Sequence, residues 1–200
     1  LFGSPVIADG AAYIAAQDEF DPNGGHLVCV DAANGTARWQ IPTHGSVKHA
    51  PAVVNGIVYA VTVSGRVFAI DAESGDAVWE YQLGDASARW IFSSPLVVGK
   101  QVVVGQSGHF VSLDADPGRR NWLRTDLVGN DWISSYPSPA ADHNTVYVGF
   151  FWHRETLWAL DRETGETRWV VADIPGTRGP AATPVAHIDS DSSGEAKAVY

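Results

Sequence analysis

The chain has 200 residues, of which 45% are hydrophobic, 10% aromatic and 18% charged, a composition in the globular range. Its formal net charge is -10, with 23 acidic against 13 basic residues, and such a surface repels phosphate backbones and argues against a nucleic-acid partner. No apolar run approaches the roughly 18 residues of a membrane span, and the single cysteine, Cys29, excludes an internal disulfide and any CxxC metal or redox motif.

In chain order, the first marker is "GSP" at 3–5, which opens a short apolar segment. An expanded loop, "AQDEFDPNGGH" (16–26), leads into "HLVCVD" (26–31), an apolar run in which Cys29 reads as a small buried thiol. Then comes "CVDAANGTARW" (29–39). The next stretch begins at "HAP" (49–51) and reads "PAVV", the turn "NG", "IVYAVT", the turn "SG", "RVFAID" and finally "AVWEYQL". These are four short β-branched and aromatic runs separated by turn residues. A third stretch starts at "SSP" (93–95) and holds the tight "QSGH" and "SLDADPGRRNW" (112–122). A fourth starts at "PSP" (137–139) and holds "FFWHRETL" (150–157) and "ALDRETGETRW" (159–169). At "ATP" (182–184) a fifth begins, with "TPVAHI" and "AKAVY" as its first two strands.

The prolines recur at 5, 51, 95, 139 and 184, a period of 44–46 residues. A second marker runs in phase: Asp31/Gly35/Trp39, Asp71/Gly75/Trp79, Asp114/Gly118/Trp122 and Asp161/Gly165/Trp169. A small residue stands two before each aspartate: Cys29, Ala69, Ser112 and Ala159. Four strands per period of about 45 residues is the pattern of a β-propeller blade. An ordinary sandwich has no reason to keep a marker triplet in register. The expected fold is therefore all-β, a propeller of four-stranded blades at about 1–48, 49–92, 93–136 and 137–180, with the start of a fifth at 181–200. About 4.5 blades of a 7–8-bladed ring are expected here, the rest lying elsewhere in the polypeptide. The leucine at position 1 and the absence of methionine fit a piece of a longer or processed protein, with any export signal outside it.

Within the triplet, the aspartate ends the third strand and its carboxylate accepts N–H groups of the next turn. The glycine supplies a positive φ. The tryptophan falls on the outermost strand, where its ring covers the gap to the neighbouring blade. Four equivalent tryptophans at four azimuths cannot face one ligand, so they are assigned to packing.

Small-x-Asp-x-x-x-Gly-x-x-x-Trp with a preceding "SP" strand resembles the quinoprotein-type propellers, the pyrroloquinoline quinone (PQQ)-like repeat family. The resemblance spans essentially the whole chain. It implies either of two roles, a PQQ-dependent alcohol or sugar dehydrogenase or a non-enzymatic scaffold like the lipoprotein of the bacterial barrel-assembly machine. By that resemblance, the dehydrogenases hold the quinone between a tryptophan and a ring of adjacent cysteines, with Glu, Asn and Asp around calcium. No adjacent cysteine pair occurs here, and Asp131, beside Trp132, has no identifiable partner. Nor is there a Ser/His/Asp set or a phosphate loop.

A site is expected on the face formed by the strand 4-to-1 and 2-to-3 loops. The 4-to-1 loops carry Lys48, His49, Arg89, Trp90, Trp132, Tyr136 and Arg178, of which Trp90 and Trp132 lie outside the repeat marker. The fourth 2-to-3 loop carries Phe151, Trp152, His153 and Arg154, residue types that dominate interface hot spots. Two acidic loops raise the question of calcium. "DEFDPNGG" lacks the alternating spacing, whereas Asp189, Asp191 and Ser193 match the opening of a calcium loop that departs at Lys197 and Tyr200. No cofactor is expected in this segment; PQQ and calcium are the two that the resemblance admits. The reading is a non-catalytic, exported scaffold that binds a protein or small-molecule ligand. The alternatives are a dehydrogenase whose cofactor residues lie in other blades, and an extracytoplasmic sensor fused to another enzyme.

Overall fold

The computed structural model describes residues 3–17, 24–83, 93–106, 109–127, 138–150 and 155–172. Among them all regular structure is β, in four antiparallel four-stranded sheets, each with its strands in sequential order. The first blade comprises β1 (Val6–Ala8), β2 (Ala11–Gln17), β3 (Gly25–Asp31) and β4 (Ala37–Pro42). The second comprises β5 (Ala52–Val54), β6 (Ile57–Val61), β7 (Arg66–Asp71) and β8 (Ala77–Gln82). The third comprises β9 (Leu96–Val98), β10 (Gln101–Gln106), β11 (His109–Asp114) and β12 (Arg120–Arg124). The fourth comprises β13 (Ala140–Ala141), β14 (Thr145–Gly149), β15 (Glu155–Asp161) and β16 (Thr167–Ala172). The chain forms two compact units, residues 1–94 and 95–200, each with two blades, and each is described by itself. The period of 44–46 residues thus resolves into propeller blades.

The Asp–Gly–Trp spacing has a geometric cause. Asp31 Oδ1 accepts the amides of Ala33 (3.0 Å) and Asn34 (3.2 Å), and Asp71 Oδ1 those of Glu73 and Ser74. Asp161 Oδ1 does the same for Glu163 and Thr164, both at 3.0 Å. Four residues on, the glycine amide donates to the aspartate carbonyl, at 2.8–3.0 Å in all four blades.

The third turn differs from the other three in one donor. Gly118 keeps the left-handed backbone, with a φ of +81°, and its amide donates to the Asp114 carbonyl at 3.0 Å. The residue before Gly118, however, is Pro117, joined to Asp116 by a cis peptide bond. Proline has no N–H. The Asp114 carboxylate therefore lacks the second amide donor that Asn34, Ser74 and Thr164 supply in the other turns. At Asp114/Gly118 the backbone half of the motif holds and the side-chain half is reduced.

A β-bulge follows in each third-to-fourth strand pairing, at Cys29/Val30, Ala69/Ile70, Ser112/Leu113 and Ala159/Leu160. The extra residue shifts the register. As a result the tryptophan, eight residues past the aspartate, lies directly opposite the small residue two before it: Cys29↔Trp39, Ala69↔Trp79, Ser112↔Trp122 and Ala159↔Trp169.

On its other side the small residue pairs with a tyrosine of the second strand: Tyr13↔Cys29, Tyr59↔Ala69 and Tyr147↔Ala159. The two rings close over the small side chain, with centroids 5.9, 6.0 and 5.9 Å apart. A cross-strand row of Tyr, small residue and Trp therefore forms one face of the blade. The third blade substitutes Val103 for the tyrosine, and there Ser112 Oγ accepts from Asn121 instead.

That face packs on the next blade. In the first unit, Ala11, Tyr13, Ala15, Leu27 and Cys29 meet Val58, Ala60, Phe68 and Ile70 in one buried cluster. In the second, Leu96, Val98, Val103, Phe110 and Trp122 meet Val146, Val148, Phe150 and Leu160. The tryptophan fastens the outer edge. Trp39 donates its indole N–H to the Ala72 carbonyl at 3.0 Å, and Trp122 donates to the Arg162 carbonyl at 2.8 Å. Each accepting residue follows the aspartate of the neighbouring blade. Each ring also lies on the repeat glycine of that blade, so that a Cβ on Gly75 would stand 2.9 Å from Trp39 and one on Gly165 2.7 Å from Trp122. Glycine at these two positions thus serves a positive φ, +80° and +73°, and a close approach at once.

Candidate functional site

Within the first unit, the loop from β4 to β5 (residues 43–51) meets the start of β3 and the β6–β7 connection. Thr43 N–H donates to the Gly25 carbonyl at 2.8 Å, and a Cβ on Gly25 would sit 2.5 Å from the Gly45 carbonyl oxygen. Val63 N–H donates to the Ser46 carbonyl at 2.8 Å. In the first unit this 4-to-1 loop and the 2-to-3 turn of the second blade therefore lie side by side. Gly3 packs against the backbone of His49 and Ala50, which sets this loop beside the start of the first blade.

The two loops carry a cluster of hydroxyls. Thr43 and Thr62 are fully buried, Thr43 Oγ1 donating to the Gly45 carbonyl at 2.7 Å. Thr62 Oγ1 and Ser64 Oγ lie 2.9 Å apart, and Thr62 Oγ1 accepts the Arg66 amide at 3.0 Å. Ser46 Oγ is buried with no hydrogen-bond partner. His44, with a φ of +47°, is exposed, while Lys48 and His49 are half-buried. The Thr43 and Thr62 hydroxyls are spent within the loops, bonded to backbone of their own turns, and the Thr43 bond fixes the segment that carries His44, Lys48 and His49. Sequence reasoning singled out Lys48 and His49 but passed over Thr43, Ser46, Thr62 and Ser64. The signal available was the presence of Ser or Thr in both "THGSVKHA" and "VSGR".

Of the predicted site residues, His49 is placed in this 4-to-1 loop. Arg89, Trp90, Trp132, Tyr136, Trp152, Arg154 and Arg178 lie outside the described residues, as do Asp189, Asp191 and Ser193 of the acidic loop. Among the described residues no three His, Cys, Asp or Glu side chains cluster as a metal site.

The perturbed acids belong to the turns. Arg168 Nη2, 2.6 Å from Asp161 Oδ2, together with the Thr164 and Glu163 amides, holds the Asp161 carboxyl at about 2. Arg38 and the Ala33 and Asn34 amides lower Asp31 in the same way, and the Ser74 and Glu73 amides lower Asp71. Burial raises the Cys29 thiol, which is fully enclosed between the first two blades. These groups hold turns and fill the core. The described residues do not fit a quinone site, since the one thiol is sealed in packing and these acids are engaged by amides and guanidiniums.

The family model described as outer membrane protein assembly factor BamB matches residues 2–125 and 91–171. The chain belongs to this PQQ-like repeat family. Among curated family relatives, BamB of Nitrosomonas eutropha is 29% identical over 167 residues, covering 82% of this chain and 37% of that protein. The quinohemoprotein alcohol dehydrogenase ADH IIB of Pseudomonas putida is 32% identical over 188 residues, covering 84% and 25% respectively. The chain thus spans between a quarter and two fifths of these relatives. Among solved structures, BamB of Moraxella catarrhalis superposes with a TM-score of 0.71 at 24% identity, over 91% of this chain and 51% of that one. A europium-containing methanol dehydrogenase gives 0.70 at 19%, over 88% and 42%. At these identities the superpositions establish the PQQ-repeat propeller fold.

Proposed function

We propose that the chain is part of a non-catalytic, exported propeller that binds a protein or small ligand through its loop face. The observation that carries this reading is how the aromatic and acidic repeat residues are spent. Trp39 and Trp122 are fastened to neighbouring blades, and Asp31, Asp71 and Asp161 close turns. What varies from blade to blade in the sequence is the loops, with His49 in the first 4-to-1 loop and the aromatic segment holding Trp152 and Arg154 in the fourth 2-to-3 loop. The similarity to BamB proteins supports a protein-binding role. The similarity to ADH IIB supports a second reading, a PQQ-dependent dehydrogenase whose cofactor residues lie in other blades. A third reading, an extracytoplasmic sensor fused to another enzyme, would use the same loop face.

The test is capture of a bound partner by the full-length protein and by a Trp152→Ala/Arg154→Ala variant. Weakened capture at an unchanged melting temperature supports the loop face as the binding surface. Equal capture rules that surface out.

A further inference from the structure

Three Asn–Gly pairs occur in the chain, and the two that are fully described are held in opposite ways. Asn23–Gly24 lies partly outside the described residues. Asn34–Gly35 belongs to the first-blade triplet turn, and both of its reactive groups are engaged. The Gly35 amide donates to the Asp31 carbonyl at 2.8 Å, and Asn34 Oδ1 accepts the Thr36 amide at 2.8 Å. Asn55–Gly56 instead forms the two-residue turn between β5 and β6, where Val54 pairs with Ile57. Both residues have positive φ, +52° and +74°, the backbone of a type I′ turn, which leaves its two central amides pointing away from the ladder. Asn55 and Gly56 are exposed, and a Cβ on Gly56 would meet nothing within 4 Å. Neither the Asn55 carboxamide nor the Gly56 N–H has a hydrogen-bond partner among the described residues.

The Gly56 carbonyl, by contrast, is tied to the joint between the first two blades. It accepts the Ala72 amide at 2.9 Å, and the Ala72 carbonyl accepts the Trp39 indole at 3.0 Å and the Tyr13 hydroxyl at 3.4 Å. We infer that Asn55 is a self-modification site, converting through a cyclic imide to aspartate and isoaspartate, and that the isoaspartate form loosens this joint. The Gly56 amide nitrogen gives its proton to solvent base and attacks Asn55 Cγ. A Cγ–N bond forms, the Cγ–Nδ2 bond breaks, and ammonia leaves. Water then opens the succinimide. Addition at Cγ restores the main chain with an aspartate, while addition at the backbone carbonyl routes the chain through Cβ and Cγ as isoaspartate. That product carries one extra methylene in a turn whose length sets the hairpin register, so the Gly56 carbonyl is displaced from the Ala72 amide.

The test is peptide mapping by mass spectrometry of the full-length protein held in mildly alkaline buffer, folded and in guanidinium. In the folded protein Asn55 should convert about tenfold or more faster than Asn34, which must first open two hydrogen bonds. In guanidinium the two rates should converge. Equal folded rates, or a faster Asn34, overturn the site. The isoaspartate-55 form, separated chromatographically, should have a lower urea midpoint than Asn55→Asp, which adds the charge without the methylene. In a Trp39→Phe background, which lacks the indole donor, that difference should shrink. Equal midpoints, or a difference undiminished by Trp39→Phe, overturn the link to the joint.

Discussion

Trp122 in the third blade donates its indole N–H to the backbone carbonyl of Arg162 in the fourth, 2.8 Å away, while its ring seals Gly165. One side chain thus satisfies a carbonyl, excludes water from an edge and requires a residue without a Cβ in its neighbour. Trp39 repeats the arrangement on Ala72 and Gly75.

Gly165→Ala and Gly35→Ala should therefore differ. Both positions have positive φ, +73° and +74°, so both lose about 1 kcal/mol to backbone strain. Only Gly165 also carries an indole 2.7 Å from the new Cβ, which adds roughly 1–3 kcal/mol of overpacking. Urea denaturation of the two variants measures the difference, and equal midpoints would refute the ring-on-glycine joint.

The tryptophans should separate by position. Trp122→Ala removes a buried ring from a core cluster and should cost about 3–5 kcal/mol. Trp169→Ala, at an exposed site, should cost under about 1 kcal/mol in dilute solution. A common value for both would mean that the repeat tryptophan acts within its own blade.

Cys29 is fully buried, paired across the strands with Tyr13 and Trp39, whose ring centroids lie 5.9 Å apart. Cys29→Leu should lose about 1–3 kcal/mol by overpacking, while Cys29→Ala changes little. Because burial raises the thiol pKa, Cys29 should react with a thiol reagent only as the chain unfolds. Rapid labelling in native buffer would contradict that placement.

Acid should unfold the chain in part through Asp161. Its carboxyl is held at about 2 in the folded state against an ordinary 3.8. A depressed pKa contributes stability that is fully present above 3.8 and lost as pH falls toward about 2. Arg168→Met removes the first cause of the shift, so the variant should lose less stability than wild type between about pH 5 and about pH 2. Identical losses would show that the pair is uncoupled from folding.

The all-β fold and the four described blades were legible because the Pro period and the Asp–Gly–Trp triplet are local in sequence, while the fifth blade expected at 181–200 lies outside the described residues. The departure at Asp114/Gly118 was legible as well, since Pro117 stands in the sequence where the other turns have an N–H donor. The row that binds each sheet was legible too, though unread: Tyr13, Tyr59 and Tyr147 each stand eight residues after Pro5, Pro51 and Pro139. Measured from the aspartate they fall out of step, because the 2-to-3 loop between them varies in length. The inter-blade acceptors, Ala72 and Arg162, were not legible at all. The bond is made by a backbone carbonyl, and the side chain at that position is free to vary. The hydroxyls beside the first 4-to-1 loop were not legible for a different reason: Gly45 meets Thr62 and Ser64 only when two loops separated in sequence close against each other through the Val63–Ser46 bond.

The central claim, a propeller that binds without catalysing, is tested most directly by loading the full-length protein with PQQ and calcium and following quinone absorbance and dye reduction with alcohols and sugars. No stoichiometric quinone signal and no substrate-dependent reduction are predicted. A one-to-one quinone spectrum with dye reduction would contradict the claim and make the chain part of a dehydrogenase.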